Sequence, residues 1–185
     1  MFMPYNECEI EEMVRRAQNP EYQDVLQYEI DSQFSDIEQS VLWQCMENKP
    51  DSIQQDLSAI VRRNWTSSVP ETMYRGISKK TMATLDDKGI GSIIKFDRVM
   101  SFSPVFGVAR NFASYNFYGT FNMFCIKDAP SCEFNGAFPE ATRRSNARLI
   151  SDECEFMLPI GTTLRVDSII QDGRYTIWNL SIVSY

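Results

Sequence analysis

Two glutamates stand one residue apart at the start of an apolar run, in the stretch DECEFMLPIGT at residues 152–162. If this stretch is an extended strand, Glu153 and Glu155 project from one face, about 6.6 Å apart, while Cys154 points to the apolar side. Carboxylates rarely enter a buried strand unless they are paired or used, so both are candidates for acid–base chemistry. Glutamates of an edge strand that face water are the alternative.

An arginine among strand-forming residues is the second chemical feature, in the stretch YRGIS at residues 74–78. A guanidinium presents a planar fork of donors that fits phosphate oxygens, so Arg75 is a candidate to bind an anionic ligand. Gly76 would let that ligand approach the backbone closely. A salt bridge at the end of a strand is the alternative role for Arg75.

Two serines form the third feature, in the stretch SFSPVFGVARNFA at residues 101–113. Proline favours the first turn of a helix, so we predict a helix that begins near Pro104. The Ser101 hydroxyl is suited to orient a carboxylate of a neighbouring strand. The alternative interpretation is purely structural: Ser103 merely caps the helix. The apolar face of this helix would consist of Val105, Val108, Ala109 and Phe112.

The absence of histidine restricts the chemistry that these groups can perform. Without a single histidine in 185 residues, Ser-His-Asp and Cys-His nucleophile systems and histidine-ligated metals are excluded. An enzyme of this composition would use carboxylates for acid–base work near neutral pH. The cysteines include no CxxC pair, so we expect small buried apolar residues in a reducing compartment and no metal site. They are Cys8, Cys45, Cys125, Cys132 and Cys154.

The charge balance argues against a general nucleic-acid-binding protein. The net charge is −7, whereas neutralising phosphates requires clustered lysines and arginines. One dense basic patch, Arg143, Arg144 and Arg148, is expected to be a solvated loop. No apolar run approaches the ~20 residues of a membrane helix, and the acidic N-terminus lacks a signal peptide, so we expect a soluble, unprocessed protein.

The elements that must position these residues differ between the two parts of the chain. Residues 1–68 are predicted to be helical. Ser35 and Glu38 form a capping box before one helix, and Asp51 and Gln54 offer an N-cap before the next. The residues expected to pack are Ile37, Val41 and Cys45 in the first helix and Ile53, Leu57, Ile60 and Val61 in the second.

From residue 69 onward, short β-rich runs are separated by helical candidates at 79–87 and 104–115. Because the order is not a regular βαβα alternation, we predict an α+β class with mostly antiparallel strands. Residues 128–147 are predicted to form a long surface loop, a feature that is often functional in a compact domain. The predicted strands are TMYRGIS, SIIKFDRVMSFS, TFNMFCI, ECEFML, TTLRVDSII and RYTIWNLSIV.

The three features together resemble the Arg–Ser–Glu signature of arginine-specific mono-ADP-ribosyltransferases. That signature has the same order: an arginine in a strand, an S-x-S before a helix, and an E-x-E entering a late strand. The stretch DIEQSVLWQCMENKPD, with YRGIS further on, is similar to Mod-type ADP-ribosyltransferases of T-even phages. The resemblance covers about residues 34–170, and we place no resemblance on the first 30 residues. It implies an ADP-ribosyltransferase fold, with an N-terminal helical segment (1–68) packed on an NAD-binding catalytic core (69–185) of two mostly antiparallel β-sheets.

The resemblance also implies an activity, the transfer of ADP-ribose from NAD to arginine side chains with release of nicotinamide. Glu155 would stabilise the developing ribosyl cation, Arg75 would hold the NAD pyrophosphate, and Ser101 would position Glu155. Glu153 would dock the acceptor guanidinium and accept its proton. Backbone groups of Arg75 and Gly76 would bind the nicotinamide amide.

Further donor-binding residues follow from the same resemblance. Ser103 belongs to this set, together with an aromatic side chain that lies against the nicotinamide. Phe112, Tyr115 and Phe117 are the candidates, although core packing is the favoured role for Phe112. The resemblance implies NAD as co-substrate and no metal.

Two alternatives remain open at this stage: an NAD glycohydrolase, in which water replaces the acceptor, and a catalytically inactive protein-binding module. The phage resemblance implies that the acceptors are proteins of the bacterial host, in transcription or translation, and that the enzyme works in the cytoplasm of the infected cell. The basic patch of Arg143, Arg144 and Arg148 leaves NAD-capped RNA open as a second donor.

Overall fold

The computed structural model describes residues 7–47, 51–114, 119–134 and 154–185. Its helices are α1 (Glu7–Gln18), α2 (Gln23–Gln33), α3 (Asp36–Glu47), α4 (Gln54–Arg63), α5 (Lys79–Ala83) and α6 (Phe106–Asn111), with 3₁₀ turns at Pro20–Tyr22 and Asp51–Ile53. Its strands are β1 (Thr72–Gly76), β2 (Ile93–Lys95), β3 (Met100–Phe102), β4 (Phe121–Lys127), β5 (Cys132–Phe134), β6 (Glu155–Leu158), β7 (Thr163–Asp172) and β8 (Tyr175–Ser184). Within these ranges, no helix has the length and apolar character that crossing a membrane requires.

One of the two hydrogen bonds that define the predicted capping box, from the Ser35 N–H to the Glu38 carboxylate, is present before α3,. The Ser35 hydroxyl donates to Glu38 Oε2 at 2.7 Å, and the Ser35 N–H donates to the same oxygen at 2.9 Å. The predicted packing face is wrong at Ile37, whose side chain is 79% exposed, whereas Leu42 is 1% exposed. The buried stripe of α3 includes Leu42, which lies about 140° around the helix axis from Ile37.

Helix α4 attaches the N-terminal helices to the strands. Asp51 and Gln54 do not cap it, because the N-cap residue is Ile53 and receives no side-chain hydrogen bond. Instead, Gln54 Oε1 accepts the Val99 N–H at 3.0 Å, and Asp51 forms a 3.0 Å ion pair with Arg98. Both side chains therefore bind the connection between β2 and β3. The predicted apolar residues are buried as expected: Ile53, Leu57, Ile60 and Val61.

Two more α4 side chains bind the turn that follows β6. Arg62 Nη2 donates to the Ile160 carbonyl oxygen at 2.8 Å, and the Ile160 N–H donates to Ser58 Oγ at 3.0 Å. These contacts hold the end of a strand that begins at Glu155.

The described strands form two sheets, one with the order β1-β4-β8-β7-β2 and one with the order β3-β6-β5. Strands β4 and β8 pair in parallel, and the other pairs of named strands are antiparallel. The predicted α+β class with two mostly antiparallel sheets is therefore confirmed.

Two strand assignments differ from the prediction. The run SIIKFDRVMSFS contains two strands of different sheets, because β2 pairs with β7 and β3 pairs with β6. Strand β5 lies inside the predicted loop at 128–147, since Cys132 and Phe134 are buried and pair with β6. Residues 135–147 of that predicted loop are outside the described residues.

The two helical candidates of the second half are shorter than predicted. The candidate at 79–87 forms α5, whose N-cap residue Ser78 accepts the Thr81 N–H, and the candidate at 104–115 forms α6. Proline at 104 precedes α6 and does not lie in its first turn.

The core has two parts that meet at the three-stranded sheet. The cluster between the sheets includes Met73, Phe102, Phe124 and Phe156. The cluster between the three-stranded sheet and the helices includes Leu57 and Met157. Because Phe156 and Met157 point to opposite sides, β6 is covered on both faces, which holds this strand firmly. Among the cysteines, Cys125, Cys132 and Cys154 are buried as predicted, whereas Cys8 is exposed.

Candidate active site

Arg75 lies near the end of β1 and reaches across to the other sheet. Its Nη1 donates to the Ser101 carbonyl oxygen at 2.7 Å. The main chains of the two sheets meet beside this contact. The Tyr74 N–H donates to the Ser103 carbonyl oxygen, and the Ser103 N–H donates to the Tyr74 carbonyl oxygen, both at 2.8 Å. The two sheets are thus joined where the guanidinium is placed.

The guanidinium of Arg75 is held in a partly desolvated position. Burial lowers the pKa of Arg75 below its ordinary value, the Glu155 carboxylate raises it in part, and the charge of Arg98 lowers it further. An arginine remains protonated at neutral pH even so. A cation that has lost part of its hydration attracts an anion strongly, which suits a phosphate-bearing ligand.

Glu155 is the first residue of β6 and lies between the two neighbouring strands of its sheet. On one side it pairs with Phe134. On the other side the register pairs Ser101 with Met157 and Phe102 with Phe156. The next step of this register places Ser103 across from Glu155, so Ser101 lies diagonal to the carboxylate on the same face.

Arg75 and Glu155 line the same cleft, which has a volume of about 310 Å³. This size lies at the lower end of small-molecule sites. The cleft brings together six of the predicted site residues: Arg75, Gly76, Ser101, Ser103, Phe112 and Glu155. Sequence reasoning missed the other lining residues, which are Tyr74, Ser78, Phe102, Val108 and Ala109. Of these, only Ser78 could have been singled out from the sequence. A serine just before a helical run is a candidate N-cap, which marks it as a residue with a defined position.

Close packing against α6 requires glycine at position 76. A Cβ at this position would lie 2.3 Å from the Ala109 carbonyl oxygen, 2.4 Å from the Ala113 nitrogen and 2.6 Å from the Phe112 carbonyl carbon. The missing side chain therefore makes room for the end of α6. This close contact places α6 against β1 as one wall of the cleft.

The backbone of β1 offers hydrogen-bonding groups to the cleft at one residue. Because Tyr74 directs its N–H and C=O towards Ser103, Gly76 directs its own towards the same edge of the strand. Arg75 pairs with Phe124 in β4, so its main-chain groups point the opposite way. Gly76 is therefore placed to offer its backbone groups to the cleft, whereas the main-chain groups of Arg75 are directed towards β4.

Phe112 is also placed differently from the favoured prediction. It is the C-cap residue of α6, its side chain is 55% exposed, and it lines the cleft. Core packing is therefore wrong for Phe112, because α6 ends before this residue can turn inward. An exposed aromatic ring in a cleft is available to a planar ligand.

Ser103 is buried, and its Oγ accepts the Val105 N–H at 3.1 Å. This bond stabilises the turn before α6, whose N-cap residue is Val105 and not Ser103. The hydroxyl proton of Ser103 is not used by this bond, so the side chain can still donate towards the cleft.

Several predicted site residues lie outside the described residues. They are Glu153, Tyr115 and Phe117, and the basic patch of Arg143, Arg144 and Arg148. The expectation of one continuous strand through the two glutamates is wrong at Cys154, whose backbone is left-handed with φ 43°. The strand begins only at Glu155, and regular alternation does not extend back from it.

The cleft thus combines a partly desolvated cation, a carboxylate, three serines and an exposed aromatic ring. Such a set can bind a phosphate-containing ligand at one end and stabilise positive charge at the other. Among the described residues, no group of three or more histidine, cysteine, aspartate or glutamate side chains could hold a metal ion.

Comparison with solved structures defines the class of fold. Vis toxin, an ADP-ribosyltransferase of Vibrio splendidus, has a TM-score of 0.52 over 98% of this chain and 88% of its own, at 12% identity. The C3 exoenzyme of Clostridium limosum has a TM-score of 0.53 over 87% of this chain and 94% of its own, at 15% identity. At such low identities the likeness establishes the fold alone. The predicted ADP-ribosyltransferase fold is confirmed.

Comparison of sequences defines the family. The family model of the bacteriophage T4 Mod ADP-ribosyltransferase matches residues 3–137. The NAD–protein ADP-ribosyltransferase ModB of enterobacteria phage T4 is 28% identical over 98% of this chain and 100% of its own. ModA of the same phage is 31% identical over 82% of each chain. The chain belongs to the Mod ADP-ribosyltransferase family, and since the match begins at residue 3, the prediction that the first 30 residues lack this resemblance is wrong.

Proposed function

We propose that this ADP-ribosyltransferase transfers one ADP-ribose unit from NAD to arginine side chains of acceptor proteins and releases nicotinamide. The observation that carries the proposal is that Arg75 and Glu155 line one cleft, with Arg75 fixed on the Ser101 carbonyl oxygen. A cation and a carboxylate in one cleft suit the two charged regions of a reacting dinucleotide, its pyrophosphate and its developing ribosyl cation.

The donor binds through its phosphates and its nicotinamide. Arg75 uses one nitrogen to bind Ser101 and keeps its other N–H donors for the pyrophosphate oxygens. The N–H and C=O of Gly76 match the acceptor and donor of the nicotinamide carboxamide. Phe112, exposed beside Gly76 in the same cleft, covers the face of the nicotinamide ring.

The bond that breaks joins C1′ of the nicotinamide ribose to the pyridinium nitrogen. The bonding pair leaves with the nitrogen, so nicotinamide departs neutral and the ribose acquires oxocarbenium character. The Glu155 carboxylate stabilises this positive charge and accepts a hydrogen bond from the 2′-hydroxyl. Ser101 and Ser103 lie on the same face beside it and restrict its orientation.

The acceptor guanidine then attacks C1′ through one nitrogen and loses one proton. An arginine is a poor nucleophile because its pKa exceeds ~12, so a base is needed as the new bond forms. Glu153 takes this role in the proposal, and it also docks the cationic acceptor. The E-x-E pattern is what supports arginine as the acceptor residue.

The biological setting is proposed from the family. The acceptors are proteins of the infected bacterium that act in transcription or translation, and the reaction takes place in the host cytoplasm. NAD-capped RNA is a second candidate donor. Mass spectrometry of host lysate incubated with the protein and NAD would identify the modified arginines, and ADP-ribose found only on other residue types would contradict arginine specificity.

The test of the reaction is product analysis with labelled NAD and agmatine, a small guanidine. We expect ADP-ribosyl-agmatine and free nicotinamide in equal amounts. Free ADP-ribose as the only product would establish a glycohydrolase instead, and a protein that binds NAD without turnover would be a binding module. Glu155→Gln should lose the transfer product. Its control is Glu71→Gln, which alters an exposed carboxylate just before β1 that does not line the cleft.

A further inference from the structure

Helix α6 forms a wall of the cleft, yet it has only six residues, and its N-cap residue receives no side-chain hydrogen bond. A helix of this length is not stable by itself in water, so tertiary contacts must decide its position. Its end packs on the backbone of Gly76. Beyond Phe112, the Ser114 N–H donates to the Ile77 carbonyl oxygen at 3.0 Å. Its first turn must be held by other contacts.

Phe106, the first residue of α6, contacts two tyrosines of the five-stranded sheet. Its ring meets Tyr74 of β1 edge-on at 5.1 Å and Tyr175 of β8 edge-on at 5.0 Å, measured between ring centroids. Tyr175 in turn stacks on Phe121 of β4 at 5.8 Å, and the Arg110 guanidinium of α6 lies over the Phe121 ring at 5.6 Å. We call the four rings of Tyr74, Phe106, Phe121 and Tyr175 the aromatic cluster.

The aromatic cluster lies on the face of the five-stranded sheet that is turned away from the three-stranded sheet. Arg75 reaches the three-stranded sheet at the Ser101 carbonyl oxygen, so the neighbouring Tyr74 side chain points the other way. Met123 of β4 pairs with Gly76 and is fully buried, as expected for a strand that α6 covers. The aromatic cluster is therefore separate from the core between the sheets.

Phe106 can act on the cleft through α6. It does not belong to the described lining of the cleft, whereas Phe112 at the other end of the helix does. A helix rises about 1.5 Å per residue, so the two residues are about 9 Å apart along the helix axis. Because the end of α6 is packed on Gly76, loss of the ring contacts at Phe106 would let the helix tilt about that end and turn the Phe112 ring.

We propose that Phe106 is a positioning residue for nicotinamide: its contacts in the aromatic cluster set the angle of α6 and thereby the place of the Phe112 ring. The inference rests on the proposed function, in which Phe112 covers the nicotinamide, and it assigns control of nicotinamide binding to a residue outside the cleft. In that function the pyrophosphate is bound by Arg75 of β1. A shift of α6 should therefore weaken binding of nicotinamide and leave binding of ADP-ribose unchanged.

The experiment measures inhibition of the transfer reaction by nicotinamide and, separately, by ADP-ribose. Phe106→Leu removes the ring and keeps an apolar side chain at a partly buried position. We expect the inhibition constant of nicotinamide to rise about threefold to tenfold, as for the loss of one or two aromatic contacts, and that of ADP-ribose to stay unchanged. A rise of both constants by the same factor, or of neither, would overturn the inference.

Tyr185→Leu is the matched control. It also removes an edge-on ring pair, the one with Trp65 at 4.4 Å, and neither residue belongs to the described lining of the cleft. Both inhibition constants should stay unchanged in this variant. A selective rise of the nicotinamide constant in the control, equal to that in Phe106→Leu, would contradict a specific role of Phe106.

A double-mutant cycle tests whether Phe106 acts through Phe112. In that case Phe106→Leu should add little to the rise that Phe112→Ala causes, because the two substitutions affect one interaction. Fully additive effects would overturn the inference and leave the proposed function standing. If Phe112→Ala itself leaves the nicotinamide constant unchanged, the proposed role of Phe112 fails and the inference fails with it.

Tyr175→Leu repeats the test from β8 and decides it if the melting temperature shows that Phe106→Leu does not fold. This variant removes one of the two ring contacts to Phe106 and lies outside the described lining of the cleft. The nicotinamide constant should rise while the ADP-ribose constant stays unchanged. Two unchanged constants in a folded Tyr175→Leu protein would overturn the inference.

Discussion

The guanidinium of Arg75 donates to the main-chain carbonyl oxygen of Ser101, with 2.7 Å between Nη1 and the oxygen. A side chain of one sheet is thereby anchored to the backbone of the other. Since a carbonyl oxygen is present whatever the side chain at 101, this anchor does not depend on the serine hydroxyl. The Ser101 hydroxyl and the Arg75 anchor can thus be tested separately.

Arg75→Lys should raise the KM for NAD about tenfold or more, equivalent to about 1.4 kcal/mol of donor binding. A lysine cannot bind the Ser101 carbonyl oxygen and present a planar fork to phosphate at the same time. Steady-state kinetics with agmatine would measure the change. Arg165→Lys, which affects an exposed pair with Asp167, is the control and should leave KM unchanged. Equal effects of the two variants would argue against a role in donor binding.

Glu155→Gln should reduce transfer by about 10²–10³-fold or more while leaving the fold intact. The amide keeps the shape of the side chain but removes the negative charge that, in the proposed mechanism, stabilises the ribosyl cation. Incorporation of labelled ADP-ribose measures activity, and the melting temperature monitors folding. Normal modification by this variant would remove Glu155 from the catalytic role.

Glu153→Ala should abolish arginine transfer and retain some NAD hydrolysis. In the proposed mechanism Glu153 serves the acceptor, whereas bond cleavage depends on Glu155. Free ADP-ribose and ADP-ribosyl-agmatine would be quantified in the same reaction. Undiminished labelling of arginine in this variant would show that Glu153 does not dock the acceptor.

Gly76→Ala should destabilise the protein by about 1–3 kcal/mol, because a new Cβ would overlap the backbone at the end of α6,. Gly107→Ala is the matched control within α6, since a Cβ there meets nothing within 4 Å. Alanine in a helix interior should stabilise by about 0.5–1 kcal/mol relative to glycine. Denaturant unfolding measures both, and effects of the same sign would contradict this account of Gly76.

Stability should fall at alkaline pH through Cys132. Burial raises the pKa of this thiol to about 12, from an ordinary value near 9. Since the pKa of the thiol is higher in the folded protein than in the unfolded chain, the neutral thiol favours folding. This contribution to the free energy of unfolding is complete below about pH 9 and is lost as pH rises towards 12. By pH 10 the loss is about 1 kcal/mol. Cys132→Ala should show a smaller decrease of unfolding free energy between pH 8.5 and pH 10 than the parent; equal slopes would contradict it.

Local patterns predicted the features that depend on neighbours in the chain. The capping box of Ser35 and Glu38 is formed by residues three apart, so no tertiary information was needed. The convergence of Arg75, Ser101 and Glu155 followed from a family signature in combination with strand patterning. The proposed division of the chain at residue 68 stays a prediction.

Features that depend on packing between distant elements were not predictable in this way. Strand β5 alternates in burial but is only three residues long, too short for its pattern to stand out from the surrounding sequence, which predicts a loop. The exposure of Phe112 and the role of Gly76 both depend on where α6 ends against β1. The left-handed backbone at Cys154 interrupts a pattern that reads as continuous strand.

The main-chain hydrogen bonds between Tyr74 and Ser103 have a consequence for inhibitor design. They hold the base of the cleft together as an isolated bridge between the sheets, so the base cannot widen without losing both bonds. The wall formed by α6, a helix of six residues, contacts β1 closely at Gly76 but has no main-chain hydrogen bond to it among the described residues, so an outward shift of this wall costs less. Compounds that fill the base must match its shape closely, whereas bulk added towards Phe112 should be tolerated.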